Sequence, residues 1–187
     1  NARQENPPLL AVTGARLTWT KGHRFFLQAM RQAIEKGVDI NYCIAGAGPY
    51  RYDLETEVAE LGLGERVRFL GLIGEDTVLD QLRTADLFAL TSIGKGEAAP
   101  VSVMEAMACG LPVICSRIGG TGDMIEDGVD GFLVAQEDVD AIADAITRLA
   151  REPNLASTMA TAARKSAIAK FSHITQARQL LAAIHDV

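Results

Sequence analysis

The chain of 187 residues is poor in the residues that build metal centres and disulfide frameworks. It has three cysteines, Cys43, Cys109 and Cys115, and three histidines, His23, His173 and His185. No cysteine pair has CxxC spacing and the histidines lie far apart, so a metal site is not expected. An odd number of cysteines set in apolar runs predicts reduced, buried thiols and a cytoplasmic setting. There is no surplus of positive charge either. The net charge of −6 argues against a nucleic-acid partner, which needs a basic face; scattered Lys and Arg could still hold one small anionic ligand. No apolar run approaches the ~20 residues of a membrane span. The amino terminus lacks the charge-then-apolar pattern of a signal peptide. Neither P-loop spacing nor GxGxxG is present. The first residue is not Met, and the polar opening NARQENPP reads as a linker over residues 1–8. The chain is therefore expected to be a piece of something longer, with a processed terminus as the alternative.

What remains is ordinary globular material, 48% hydrophobic and 22% charged, long enough for one domain with a full core. Short apolar runs alternate with amphipathic stretches. LLAVTG (Leu9–Gly14), INYCIAG (Ile40–Gly46), RVRFLG (Arg66–Gly71), DLFALTS (Asp86–Ser92), LPVICS (Leu111–Ser116) and GFLV (Gly131–Val134) read as strands. Between them, residues 23–37, 50–63, 75–85 and 100–110 read as helices. The first has Phe26, Met30, Ala33 and Ile34 at helical spacing and Gly37 as a stop. From Glu137 the pattern turns helical to the end, over 138–153, 154–171 and 172–187, with Ser172 as the expected cap of the last helix. Nearly all-apolar strands alternating with helices predict an α/β fold, a doubly wound Rossmann-like parallel sheet. Such sheets bind ligands beyond the carboxyl ends of their strands, which directs attention to five loops.

In the first, GARLTWTKGH, Arg16 and Lys21 could hold a diphosphate between strand and helix; taken alone, two solvated surface charges are the simpler reading. Gly46 and Gly48 of AGAGP permit close backbone approach, or a plain turn. The fourth loop is the most informative: GKGEAAPVSVMEAMACG places Glu97 and Glu105 seven residues apart. Pro100 suits the first turn of a helix, leaving the amides of Val101 and Ser102 free at its positive end, a ready anion site. Glu105 lies a turn further in among apolar residues, where ribose hydroxyls, local backbone amides or water could satisfy it. Glu97 could accept bonds from sugar hydroxyls or stabilise the helix start. Trp19 could stack on a ligand or serve as cover. Gly119 and Gly120 of the fifth loop allow tight passage near a ligand, or mark a long connection with several turns.

The ordered set ARLTWTKG, CIAGAGP, RVRFLG, E-x7-E with EAMACGLPVICS, GG and DGVDGFLV resembles the carboxy-terminal domain of glycosyltransferase family 4, from about Leu9 to Phe171. The resemblance implies the GT-B arrangement of two Rossmann-like domains, with residues 9–171 as the donor-binding one and 172–187 as a carboxy-terminal helix. It implies a retaining hexosyltransferase-type enzyme. This half would bind a nucleoside-diphosphate sugar, and a missing amino-terminal domain would hold the acceptor. The isolated domain would then be inactive. Polysaccharide or glycolipid synthesis is the implied setting, no cofactor or metal is needed, and any membrane contact belongs to the missing domain. Carried over by position, Arg16 and Lys21 match the pair that neutralises the diphosphate. Glu97 matches the glutamate near the donor sugar, and Glu105 the one that binds ribose. Val101 and Ser102 match the phosphate-binding helix start. Arg68, Phe69 and Leu70 match the segment lining the base, and Gly46 and Gly48 a glycine turn at the cleft. Two departures stand out. Gly14 precedes Ala15 where the family has glycine before its arginine. Glu97 is followed by Ala98, Ala99 and Pro100 where the family often has G-F-G, which reshapes the sugar pocket and removes a backbone donor. A sugar-nucleotide epimerase, a phosphorylase and a non-catalytic binding module are the alternatives on the same architecture.

Overall fold

The computed structural model describes residues 7–185. Six strands, β1 (Leu9–Gly14), β2 (Ile40–Ala45), β3 (Val67–Gly71), β4 (Leu87–Leu90), β5 (Val113–Ser116) and β6 (Gly131–Val134), form one sheet in the order β3-β2-β1-β4-β5-β6. Every pairing is parallel, from Leu9 opposite Ile40 in β1–β2 to Ser116 opposite Val134 in β5–β6. The helices are α1 (His23–Glu35), α2 (Arg51–Glu60), α3 (Glu75–Thr84), α4 (Val101–Ala108), α5 (Thr121–Met124), α6 (Val139–Arg151), α7 (Pro153–Phe171) and α8 (His173–His185). A single 3-10 turn, Trp19–Lys21, precedes α1.

The apolar runs form strands because both sheet faces are covered. Along each strand, side chains alternate between two cores. Ala11, Tyr42, Ile44, Leu87, Ala89, Ile114, Phe132 and Val134 join one core, with α1, α2 and α6. Val12, Cys43, Phe88, Leu90, Val113, Cys115 and Leu133 join the other, with α3, α4 and α7. Phe26, Met30 and Ala33 of α1 are fully buried; each large one stabilises the fold by ~1.5–3 kcal/mol relative to exposure. Asp138 caps α6, its carboxylate accepting from the Ala141 amide at 2.9 Å. Gly110, at φ +78°, ends α4: its own amide reaches the Met107 carbonyl and that of Leu111 reaches Ala106, a left-handed stop that glycine adopts without steric cost.

The expected α/β architecture and all six strands are present, β1 and β6 with the expected bounds and the other four differing at one or both ends by one or two residues. Three local readings need correction. Pro100 is the residue before α4, not within its first turn. The fifth loop contains the short helix α5, too brief to show a period; buried Thr121 holds it, its hydroxyl accepting from the Ile118 amide at 2.9 Å. Cys109 is half-buried, whereas Cys43 and Cys115 are buried as expected. Ser172 separates α7 from α8 and its backbone carbonyl accepts from the Gln176 amide at 2.9 Å. Of the expected linker, Pro7 and Pro8 are exposed and residues 1–6 lie outside the described residues. No described helix is long and apolar enough to cross a membrane.

Candidate functional site

The strand order reverses between β1 and β4, and the carboxyl ends of the central strands open there, as parallel sheets of this kind dictate. A crevice of about 220 Å3 lies at this point. Its floor is Val12, Thr13 and Gly14 from β1, Ala45 at the end of β2 with Gly46 after it, and Phe88 from β4. Its walls are Leu72 and Ile73 beyond β3, Val78, Gln81 and Leu82 of α3, and Ser102 and Glu105 of α4. The lining is largely apolar, with one carboxylate at the edge. Glu105 is exposed, and its carboxylate has no ion-pair or hydrogen-bond partner among the described residues, so it faces the opening with its acceptor capacity free.

Next to the crevice stands the start of α4. The Pro100 carbonyl accepts from the Val103 and Met104 amides at 3.1 and 3.4 Å, which leaves the amides of Val101 and Ser102 without an intrahelical acceptor. Ser102 also lines the crevice, so one helix tip connects an apolar recess to an anion-favouring end of a dipole.

Three residues before Pro100, Glu97 is buried and forms an ion pair with Lys21. The same carboxylate oxygen, Oε1, accepts from the Ser92 hydroxyl at 2.9 Å. The loops carrying these groups are held by direct backbone contact. Gly22, at φ +64°, packs against the Thr91 carbonyl, the Thr91 hydroxyl donates to the Gly22 carbonyl at 2.8 Å, and the Ile93 amide donates to Thr20 at 2.8 Å. On the other side, Gly119 packs directly on the Glu97 carbonyl and the Gly120 amide donates to the Ala98 carbonyl at 2.8 Å. Gln136, beyond β6, closes a third side: its side-chain amide accepts from the Gly94 amide at 2.7 Å and donates to the Gly94 carbonyl at 3.3 Å.

The structure thus joins Lys21 to Glu97, and Gly14, Gly46, Ser102 and Glu105 around one crevice. Val101 is exposed at the helix tip beside them, and Ala98 and Ala99 are exposed on the loop before it. Other residues singled out from sequence stand elsewhere. Arg16 is exposed, outside the crevice, and in no ion pair among the described residues. Arg68, Phe69 and Leu70 lie on β3 and do not line the crevice, Phe69 lying under the Arg51 guanidinium at 5.4 Å; Leu72 and Ile73, just beyond them, do line it. The glycine at 48 meets the chain's own Leu17 carbonyl, where a Cβ would come within 2.1 Å, and Gly46 meets the Ala15 carbonyl as well as lining the crevice. Trp19 is part of an edge-packed cluster with Phe25, Tyr50 and Arg24. Gly119 and Gly120 likewise clear the chain's own backbone. Ser92, Gln136 and the wall residues of α3 carried no signal in the sequence.

His23, at the start of α1, is buried beneath the Lys21 loop, with its Nδ1 3.4 Å from the Tyr42 hydroxyl. Burial lowers its pKa to about 4; the Arg16 carbonyl acts in the opposite direction and the Lys21 charge adds to the lowering. It is neutral near pH 7. Burial, with the Glu97 charge nearby, pushes the Cys115 thiol up to about 12, so it is not a thiolate nucleophile. No group of His, Cys, Asp or Glu among the described residues could hold a metal ion.

Residues 1–166 match the family model described as glycosyl transferases group 1. The chain belongs to that family. Among relatives of this group 1 glycosyl transferase domain, it is 33% identical over 177 residues to the amylovoran biosynthesis glycosyltransferase AmsK of Erwinia amylovora, covering 92% of this chain and 44% of that protein. It is 31% identical to the GDP-mannose-dependent alpha-(1-6)-phosphatidylinositol monomannoside mannosyltransferase of Mycolicibacterium smegmatis, covering 91% of this chain and 46% of the relative. The solved structure of HepE from Anabaena in complex with UDP superposes with a TM-score of 0.86 at 26% identity, over 96% of this chain and 49% of that one. The complex of HepE with UDP-glucose gives 0.84 at the same 26% identity, over 97% of this chain and 50% of that one. The group 1 domain therefore spans about half the length of the curated relatives it matches.

Proposed function

We propose that this chain is the donor-binding half of a retaining glycosyltransferase, with an amino-terminal domain supplying the acceptor. The carrying observation is the arrangement of crevice, free helix tip and Lys21–Glu97 pair at the carboxyl ends of the central strands. Base and ribose would occupy the apolar crevice, with Glu105 accepting from ribose hydroxyls. The diphosphate would lie at the Val101 and Ser102 amides, reached by Lys21 and by Arg16 once its side chain turns inward. The sugar would meet Glu97. HepE, with UDP and with UDP-glucose, is a structural relative whose ligands have the chemistry this arrangement suits. As the glycosidic bond breaks, the leaving diphosphate gains negative charge. Arg16, Lys21 and the helix tip would stabilise that charge more in the transition state than in the ground state. The reading assigns no cofactor and gives Glu97 no nucleophilic role. Polysaccharide synthesis is the proposed setting, supported by the amylovoran enzyme among the relatives.

Calorimetric titration of the chain with uridine, UDP and UDP-glucose, and with guanosine, GDP and GDP-mannose, tests the site. The diphosphates are expected to bind more tightly than their nucleosides; equal affinity contradicts the phosphate assignment.

A further inference from the structure

Ser92 follows β4 by two residues and is 1% exposed. Its hydroxyl lies 2.9 Å from Oε1 of Glu97. An ionised carboxylate only accepts, so the hydroxyl proton points at Glu97 and at no other group. The neighbours of Ser92 are tied to the Lys21 loop, Thr91 through its hydroxyl to Gly22 and Ile93 through its amide to Thr20, both at 2.8 Å. The serine is therefore fixed in place independently of any ligand. Lys21 is different. It is partly exposed and bonds the same oxygen, and a diphosphate would compete for its ammonium. When Lys21 turns to the phosphates, Ser92 is the remaining side-chain donor on a buried carboxylate.

We infer that Ser92 is a positioning residue: its hydroxyl holds Oε1 of Glu97 so that Oε2 is presented to a hydroxyl of the donor sugar. This rests on the donor-site reading above. It assigns to Ser92 no contact with the nucleotide. With Oε1 occupied by the protein, Glu97 has one oxygen left for the ligand, which accounts for a carboxylate that is buried and yet available. Removing the hydroxyl frees the carboxylate to rotate about its last torsion, which has no sharp intrinsic minimum.

The test compares S92A, E97A and the double variant with the unaltered chain by calorimetry, using UDP, UDP-glucose, GDP and GDP-mannose. S92A is expected to weaken binding of the nucleotide sugar by about tenfold or more and that of the bare diphosphate by less than about twofold, the range for a hydrogen bond to a charged group. In E97A, which removes the acceptor, the further change S92A is expected to cost nothing, because the two act through one contact. Equal loss for sugar nucleotide and diphosphate, no loss for either, or full additivity in the double variant overturns the assignment. The unaltered chain separates this from the underlying reading: if it binds none of the four ligands, the donor site itself is wrong. If it binds them and S92A does likewise, only the role of Ser92 falls.

Discussion

Replacing Gly119 with alanine places a Cβ 1.5 Å from the Glu97 carbonyl oxygen and 2.8 Å from its carbonyl carbon. Both are backbone atoms and cannot swing aside. The residue also sits at φ +52°, a left-handed conformation that costs a residue with a side chain ~1–2 kcal/mol before any contact is counted. Restoring the 3.0 Å that real Cβ contacts respect requires about 1.5 Å of movement between the two loops. The segment that must move carries Glu97, together with the Ala98 carbonyl that accepts from Gly120. With the backbone strain added, a total destabilisation of ~3 kcal/mol is expected, which lowers the melting temperature by roughly 6–12 °C in a domain of this size. Gly128 provides the comparison: it has φ +78° but nothing within 4 Å of the place its methyl group would take, so G128A carries the conformational cost alone, ~1–2 kcal/mol. Scanning calorimetry of the two variants beside the unaltered chain reads the difference directly. G119A should melt well below G128A and lose nucleotide-sugar binding disproportionately. If the two melt together, the Gly119–Glu97 approach does not constrain the loop.

Lys21→Ala or Arg16→Ala in the full-length protein should lower turnover by roughly tenfold to a thousandfold; steady-state rates unchanged with both replaced would count against the charge-stabilising role. Glu105→Gln should weaken binding of ribonucleoside diphosphates by about tenfold, with a 2′-deoxynucleotide losing much less from the same change; calorimetry with UDP and its deoxy analogue decides. His23 gives a pH signature. Its pKa falls from 6.5 in the unfolded chain to about 4 in the folded one, so below pH 6.5 the unfolded state takes up a proton that the folded state refuses. The associated stability, about 3 kcal/mol for a shift from 6.5 to about 4, is complete above pH 6.5 and is lost as the pH falls towards 4. Urea unfolding between pH 7.5 and 4.5 should show this slope, and His23→Leu should flatten it; an identical slope in the variant would place the effect elsewhere.

The sheet was legible because a parallel sheet covered on both faces demands apolar runs, and LLAVTG, INYCIA, LFAL, VICS and GFLV supply them with helices between. The start of α4 was legible for a related reason: a proline marks the beginning of a helix, whose first amides lack an intrahelical acceptor, although Pro100 stands before the helix and not in its first turn, and Glu105 stood out as a carboxylate in an apolar helix. The α3 wall of the crevice was not. Val78 and Leu82 of α3 are apolar residues on an amphipathic helix, and periodicity alone does not distinguish packing on the core from lining a crevice. Arg68, Phe69 and Leu70 lie on the strand itself, whereas the crevice opens beyond the strand's carboxyl end, at Leu72 and Ile73. The supports of Glu97 were hidden by distance in sequence. Gln136 meets Gly94 across 42 positions, and Gly119 meets Glu97 across the width of α4 and β5. A glycine pair reads equally as clearance for a ligand or for the chain's own backbone; here it is the backbone.

The most direct measurement is a crystal structure of this chain with UDP or GDP bound. The account predicts ribose hydroxyls within hydrogen-bonding reach of the Glu105 carboxylate, phosphate oxygens on the Val101 and Ser102 amides, and the Lys21 ammonium turned from Glu97 towards the phosphates. A nucleotide seated elsewhere, or one in the crevice with its phosphates directed away from the α4 tip, would contradict it.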